Sequence, residues 1–278
     1  MTNTAADRLL PATSVRQARD AIGAGRVALA GGTWLMRAVV RGEELSAQFV
    51  SLGGIAALRQ IEIEDDWLAI GAAVTHAKLD RALQQYPQLK GLRIAASLSA
   101  NPAIRRVATV GGNLCCVAFA ASDLAPALLA LDAEARLETQ EGPLTLSMAE
   151  FLARRTELLP NSLLTILRVP LLTAHSAHQR LPLRQAGDYP TAIVSLAIMG
   201  ERLNIAVGSV EPVARRWSAL EAALQGELPS PEVAAEAAAA ANDFKGRDGP
   251  EADGWYRREV LPALVRRGVA ELWESRGR

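Results

Sequence analysis

Leu29-Ala30-Gly31-Gly32-Thr33-Trp34-Leu35 and, much further along, Ala108-Thr109-Val110-Gly111-Gly112-Asn113-Leu114 decide how this chain reads. Each follows an apolar stretch, and each places a glycine pair before polar residues. Without Cβ atoms, successive backbone N–H groups can approach an anion closely. Thr33, Thr109 and Asn113 add side-chain hydrogen-bonding groups, and Asp123 in the downstream Ser122-Asp123-Leu124 has the chemistry to accept from ribose hydroxyls. A single Gly-Gly pair more often just ends a strand or helix. Two such loops from distant positions could close around one diphosphate.

Working outward, Thr13 or Ser14 is placed to cap a helix ending near Gly23, and Arg26 to Ala30 reads as a short buried strand. After the first loop, Trp34 to Arg41 has helical character, and Phe49 to Leu52 reads as a strand, giving a βαβ-like opening preceded by a helix. From Ile55 to Ala73 the pattern alternates, with a turn at Asp65-Asp66, as antiparallel strands do. Helices are expected at Thr75 to Gln85, Gln88 to Leu98 and Asp123 to Leu131, and strands at Ala135 to Glu138 and Leu163 to Val169, the last closed by Pro170. Polar residues from Thr173 to Gln179 read as a hinge. Beyond it come strands at Ala192 to Met199 and Leu203 to Ser209, joined at Gly200-Glu201, then helices at Pro231 to Asn242 and Tyr256 to Trp273, with Pro262 marking a possible true start of the latter. The expected division is a larger α+β portion, residues 1–172, with lobes 1–54 and 55–172, and a smaller one, residues 173–278.

Composition excludes several classes of function. The 278 residues are 50% hydrophobic, and 30 basic side chains balance 30 acidic ones, so neither a nucleic-acid-binding nor a membrane-surface protein is indicated. No stretch reads as a bilayer span, since Ser122, Asp123 and Pro126 interrupt the most apolar one, and Met1 to Thr13 lacks signal-peptide character. Cys115 and Cys116 are adjacent and ill-placed for an unstrained disulfide, which points to a reducing, cytoplasmic compartment.

Other candidates carry less. Gly23-Ala24-Gly25 follows a helix and precedes a strand, the reverse of a dinucleotide fingerprint, so it reads as a helix end. His175 and His178 read as exposed hinge histidines rather than a metal pair, and His76 as a capping or packing residue at a helix start. The two cysteines are too few for an iron–sulfur cluster. Glu62, Glu64, Asp65 and Asp66 read as a solvated hairpin, and Arg257, Arg258, Arg266 and Arg267 as arginines facing water rather than a partner subunit. No Ser/His/Asp or Cys/His set can be assembled, so the chain offers no catalytic side chains and no metal ligands of its own.

With these residues in view, the chain resembles the FAD-binding, medium subunits of molybdenum hydroxylases, the xanthine dehydrogenase and carbon monoxide dehydrogenase flavoprotein family. Their pattern is an Ala-Gly-Gly-Thr loop, a Thr-(Val/Ile)-Gly-Gly-Asn loop and a following Asp-Leu pair. Leu164 to Pro170, then Arg180, Arg184, Gly187, Asp188 and Tyr189, and Trp255-Tyr256-Arg257-Arg258 extend the likeness over nearly the whole chain. It implies a two-lobed FAD-binding domain of the vanillyl-alcohol oxidase (PCMH) type, followed by a small α+β C-terminal domain with an antiparallel sheet and helices. It also implies non-covalent FAD held by Leu29, Ala30, Gly31, Gly32, Thr33, Trp34 and Leu35 and by Thr109, Gly111, Gly112 and Asn113. Asp123 would meet the ribose or ribityl region and Leu164 the isoalloxazine through its backbone, while Arg180 stands where the family often has a flavin-proximal lysine. The stretch from Asn113 to Asp123 is one residue longer than the family pattern, and arginine is not equivalent to lysine at position 180. The implied partners are a large molybdenum-cofactor subunit and a small subunit with two [2Fe–2S] clusters, with NAD or another electron acceptor. The wording Gly31-Gly32-Thr33-Trp34-Leu35 is closer to xanthine-dehydrogenase-like members. A self-sufficient flavin oxidoreductase acting on a small molecule is the alternative.

Overall fold

Ser14 begins the first regular helix for a local reason: its hydroxyl accepts the N–H of Gln17, satisfying one of the donors a helix start leaves open. The computed structural model describes residues 8–40, 42, 43, 45, 48–172, 175–183 and 189–276. Helix α1 (Val15–Gly23) turns Ala18, Ala21 and Ile22 inward and ends at Gly25, whose φ of +90° suits a residue without Cβ. It links strand β1 (Leu9–Pro11) to β2 (Val27–Leu29), and helix α2 (Leu35–Val40) links β2 to β3 (Phe49–Ser51). The three strands are parallel in the order β1-β3-β2, which only such crossover connections allow. The sequence suggested a buried strand at Arg26 to Ala30. Instead β2 is an edge strand with Val27 half exposed, because β3 alone pairs with it.

By its contacts the chain divides into two compact units. The first holds residues 1–78, 102–117 and 134–169, and the second 79–101, 118–133 and 170–278. In the first unit, strands β4 (Ile61–Glu64) and β5 (Trp67–Gly71) form the expected hairpin, with Asp65 at φ +54° in its turn. Strands β6 (Glu134–Thr139), β7 (Gly142–Ser147) and β8 (Ser162–Pro170) complete a five-stranded sheet in the order β4-β5-β8-β6-β7. Glu64, expected on a solvated hairpin, accepts from Arg136 at 3.0 Å, so part of that acidic cluster is neutralised by its own sheet. Helix α8 (Met148–Leu158) follows β7 and opens with a reciprocal Ser147–Glu150 capping box. A core of Ala12, Ala18, Ile22, Val50, Leu52, Leu58, Ala73 and Leu163 ties the parallel sheet to the five-stranded one. Along the chain between β5 and β6 come helices α3 (His76–Ala82), α5 (Pro102–Arg105) and α6 (Val110–Cys115).

In the second unit, α4 (Lys90–Leu98) and α7 (Leu124–Ala130) accompany an antiparallel sheet of β9 (His175–Pro182), β10 (Pro190–Met199), β11 (Arg202–Gly208) and β12 (Arg215–Arg216). The expected hinge at Thr173 to Gln179 is thus corrected over its described residues: His175 onward pairs along β10 from Ile198 to Pro190. Its polar face had concealed the strand. Helices α9 (Ser218–Ala223), α10 (Pro231–Ala240), α11 (Gly254–Glu259) and α12 (Leu261–Arg276) pack Trp217, Ala234, Leu264, Val269 and Leu272 with Val194 and Leu196 in one core. Pro262 falls at the second position of α12, where a missing N–H costs nothing. The single helix expected from Tyr256 to Trp273 is therefore two.

Arg257 also departs from expectation. It is fully buried, donating to the carbonyls of Thr191 at 2.7 Å and Ser209 at 3.2 Å and to Glu251 at 3.1 Å. Ser209 sits at φ +65°, so its carbonyl leaves the strand direction, and this guanidinium satisfies it. Removing one member of a buried charged network costs roughly 3–5 kcal/mol. Arg257→Ala should lower the urea midpoint of unfolding accordingly, while Arg258→Ala, at an exposed position, should leave it within experimental error; equal effects would remove Arg257's structural role.

Candidate functional site

The first glycine loop leaves the C-terminal end of β2 in a parallel sheet, the end at which open α/β sheets place their ligands. Residues Gly31 to Trp34 lie between β2 and α2. Gly32 has φ +67°, and the Gly32 carbonyl accepts from Met36 to start α2. Trp34 is half-buried with the Arg37 guanidinium 5.5 Å from its ring centre. The second loop is held from three sides. Val110 N–H donates to Val74 O, Gly111 N–H to Ala72 O, and His76 N–H to Ala108 O, while the Thr109 hydroxyl accepts from Gly112 N–H at 3.1 Å. Asn113 continues into α6, donating its N–H to Thr109 O. Gly112, by contrast, is exposed.

The two loops meet. A Cβ on Gly31 would stand 2.2 Å from the Val107 carbonyl oxygen and 3.1 Å from Ala108 Cα, and one on Gly111 would stand 2.8 Å from both Ala72 Cβ and Ala72 O. Glycine at 31 therefore sets the distance between the loops, and glycine at 111 seats the second loop on the strand end after β5. Leu164 belongs to the same assembly. It lies buried in β8 opposite Leu137, and the β6–β8 register shifts beside it, so that Thr165 is the extra residue of a bulge. Thr165 O accepts from Ala72 N–H at 2.8 Å, and Ala72 O accepts from Gly111 N–H at 2.8 Å. Ala72 thus joins the bulge to the second loop directly.

The other two expected residues, Asp123 and Arg180, lie in the second unit, in a cluster the sequence did not suggest. Asp123, just before α7, is 2% exposed and accepts from Arg180 Nε at 3.0 Å and His178 Nε2 at 3.3 Å. His178 Nδ1 lies 2.8 Å from Ser195 Oγ, the residue directly across from it in the β9–β10 register. His178, expected as an exposed hinge histidine, is buried, and a Ser/His/Asp set exists after all. It is not arranged for hydrolysis, because Ser195 is 1% exposed in mid-strand, out of reach of a substrate. Residues separated as 123, 178 and 195 come together only through strand pairing, and no spacing motif announces them. Arg184, Gly187 and Asp188 lie outside the described residues. Among the described residues, no three His, Cys, Asp or Glu side chains gather as a metal site.

Cys115 and Cys116, at the end of α6, are not joined in a disulfide. Burial pushes the Cys115 thiol up to about 12, against the opposing attraction of the Arg155 guanidinium, whose own ionisation burial lowers. Arg155, from α8, donates to the carbonyl of Leu114 and so closes the end of the second-loop helix. A thiol raised from 9.0 to about 12 carries roughly a thousandfold less thiolate at a given pH below both values. Alkylation of the folded protein at pH 8 should therefore leave Cys115 unmodified while the urea-unfolded chain reacts fully, as read by peptide mass spectrometry; rapid labelling of Cys115 in the native state would contradict the burial of its thiol. The capping hydroxyl is open to test as well. Thr109→Ala should cost about 1 kcal/mol in denaturant unfolding, and Thr109→Ser should recover most of it.

Comparison with known proteins agrees with this geometry. A family described as the FAD-binding domain in molybdopterin dehydrogenase matches residues 6–172, and the carbon monoxide dehydrogenase flavoprotein C-terminal domain matches residues 183–272. The chain is 31% identical over 233 residues to the 6-hydroxypseudooxynicotine dehydrogenase complex subunit alpha of Paenarthrobacter nicotinovorans, covering 80% of this chain and 78% of that one. It is 36% identical over 115 residues, 41% of this chain and 39% of the other, to a xanthine dehydrogenase FAD-binding subunit of Escherichia coli O157:H7. Its fold is similar to that of a chain of carbon monoxide dehydrogenase from Hydrogenophaga pseudoflava, crystallised without the Mo-pyranopterin moiety of its cofactor. There the TM-score is 0.85 at 27% identity, with 96% of this chain and 97% of that chain covered. Both expected features of the fold class are present, a FAD-binding-type α+β domain and a C-terminal portion of antiparallel sheet and helices. With two glycine loops locked together beside the β8 bulge and both family domains matched in order, the chain belongs to the family of FAD-binding subunits of molybdenum hydroxylases.

Proposed function

We propose that this chain binds one FAD non-covalently, with the diphosphate between Leu29–Leu35 and Thr109–Asn113, and relays electrons within a molybdenum hydroxylase complex. The observation that carries the reading is the fixed approach of the two loops, with Gly31 against the Val107 carbonyl and Gly111 hydrogen-bonded to Ala72. The N–H groups of Val110, Gly111, Gly112 and Asn113 are all donated within the protein, so the second loop is held rigidly and the backbone donors to a diphosphate would come from the first loop. The cofactor would supply the conversion between one-electron and two-electron transfer, and the protein supplies binding, orientation and electrostatics. Thr33, Trp34 and Asn113 are the side chains we assign to the diphosphate. Leu164, stiffened next to a bulge and linked through Thr165 and Ala72 to the second loop, offers backbone groups to the ring system.

Arg180 is the cation we assign to the reduced, negatively charged cofactor. Asp123 has a different part from the ribose contact read from sequence. Its carboxylate is buried and already accepts from both Arg180 and His178, so we assign it as the counter-ion that holds Arg180. The electron donors would be [2Fe–2S] clusters of a small partner subunit, fed by a molybdenum subunit that selects the substrate, and the acceptor NAD or another oxidant. The relatives include a 6-hydroxypseudooxynicotine dehydrogenase, a xanthine dehydrogenase and a carbon monoxide dehydrogenase, so the loop wording alone favours the xanthine-dehydrogenase-like assignment. Among the described residues no helix is long and apolar enough to cross a membrane. We place the complex in the cytoplasm, a reading supported by two cysteines that form no disulfide.

The purified chain should be yellow, with bands near about 370 and 450 nm and FAD released on unfolding. Gly31→Val, which drives a side chain into the Val107 carbonyl, should reduce bound FAD at least about tenfold. A colourless wild-type chain that cannot be reconstituted would end the reading. Capture of the molybdenum and iron–sulfur subunits by a tagged chain would support the relay role, whereas turnover of a small-molecule substrate by the isolated flavoprotein would favour a self-sufficient oxidoreductase.

A further inference from the structure

The second unit also carries a surface cavity of about 590 Å³, a volume suited to a small molecule. Its apolar lining includes Ile198, Leu203 and Leu228, which are buried members of the core of that unit. Trp273, from α12, lines it as well and is 47% exposed, although its indole N–H already donates to the Pro229 carbonyl at 2.8 Å. The ring is therefore fixed at its edge while part of its surface stays open. It brings an aromatic surface to the cavity and no free donor.

Two Gly-Glu pairs bring charge to the same cavity. Gly200-Glu201 is the two-residue turn between β10 and β11, closed by the Met199–Arg202 pair, with φ +63° at Gly200. Gly226-Glu227 lies between α9 and α10, with φ +103° at Gly226. Nothing stands within 4 Å of a Cβ at either glycine, so backbone conformation and not crowding calls for it. The carboxylates of Glu201 and Glu227 are exposed and, among the described residues, have no ion pair or hydrogen bond. Arg202 is turned to Asp132 at 3.5 Å, which leaves Arg276 as the one lining cation without a carboxylate partner among the described residues. Arg276 ends α12, whose last carbonyls add partial negative charge there. The lining thus carries an excess of negative charge beside an aromatic ring and aliphatic side chains.

We propose that this cavity binds a small organic cation with an apolar stem, of the alkylguanidinium or alkylammonium class. The stem lies against Ile198, Leu203 and Leu228, the cation meets Glu201 and Glu227, and the Trp273 ring attracts it further. A carboxylate on the same stem meets charge of its own sign, and an uncharged molecule gains nothing from the two glutamates. Because these charges are exposed, each contributes modestly and salt weakens it, so the expected affinity lies in the millimolar range. The site uses no residue of the glycine loops and does not rest on FAD binding.

Five tryptophans give the full chain five indole N–H signals, and Trp273→Phe identifies the one from Trp273. In 15N-labelled protein at constant low ionic strength, n-butylguanidinium and n-butylammonium should each shift that signal saturably, and butyrate should not. Glu201→Gln and Glu227→Gln should each weaken n-butylguanidinium binding about two- to fivefold, whereas Arg276→Gln should strengthen it by a similar factor. Trp273→Leu should weaken it about two- to fivefold, read by saturation transfer to the ligand. All four side chains are exposed, so these variants should fold as the wild type does. An absent or non-saturating response up to about 20 mM n-butylguanidinium, where even a millimolar site is nearly filled, would overturn the proposal. So would equal binding of butyrate, or an affinity for n-butylguanidinium left unchanged when Glu201→Gln and Glu227→Gln are combined.

Discussion

The contact on which the first unit depends is the one between Gly31 and the Val107 carbonyl. Two loops far apart in sequence approach until no side chain fits between them, and a Cβ at Gly31 would overlap the Val107 oxygen at 2.2 Å. That closeness is not held by glycine alone. Ala72 supplies both backbone groups, receiving Gly111 N–H and donating to Thr165 O, so the second loop is fastened to the bulge of β8. Thr109 caps α6 and Arg155 closes its far end at the Leu114 carbonyl. The result is a pair of loops whose spacing is set by packed main chain rather than by mobile side chains.

The second unit solves a different problem, that of keeping charges inside a sheet. Arg257 is enclosed because the left-handed Ser209 turns a carbonyl toward it and Glu251 balances it. Asp123 is enclosed because two donors from β9 reach the same oxygen. Both cases follow one rule: a buried charge persists where its partners come from elements already fixed by an apolar core, here the core around Trp217, Leu196 and Leu264. The difference lies in the partners. Arg257 is surrounded by carbonyls and a carboxylate, whereas Asp123 has a guanidinium and an imidazole beside it.

Local sequence chemistry was readable wherever the controlling residue acts on its own neighbours. Ser14 caps α1, Gly25 ends it, Asp65 turns the β4–β5 hairpin, Gly200 turns the β10–β11 hairpin, and Pro262 starts α12. Strand β9 was missed because Ser176, His178 and Arg180 put polar atoms on a buried face, so the alternation that marks a half-buried strand was absent. Strand β7 and helix α8 likewise went unread, although the Ser147–Glu150 capping box was there to be seen.

The sequence by itself determined the two glycine loops, the family they resemble and the backbone freedom at Gly31, Gly32 and Gly111, because a missing Cβ is a property of the residue and not of its surroundings. Only the tertiary structure decided which charges are buried and with whom. That Asp123 faces Arg180 and His178, that Ser195 stands opposite His178, and that Arg257 lies inside rather than in water all depend on strand register and helix placement. Register is a cooperative outcome of many apolar contacts, and a one-residue slip would send strand side chains such as His178, Arg180 and Ser195 to the other face.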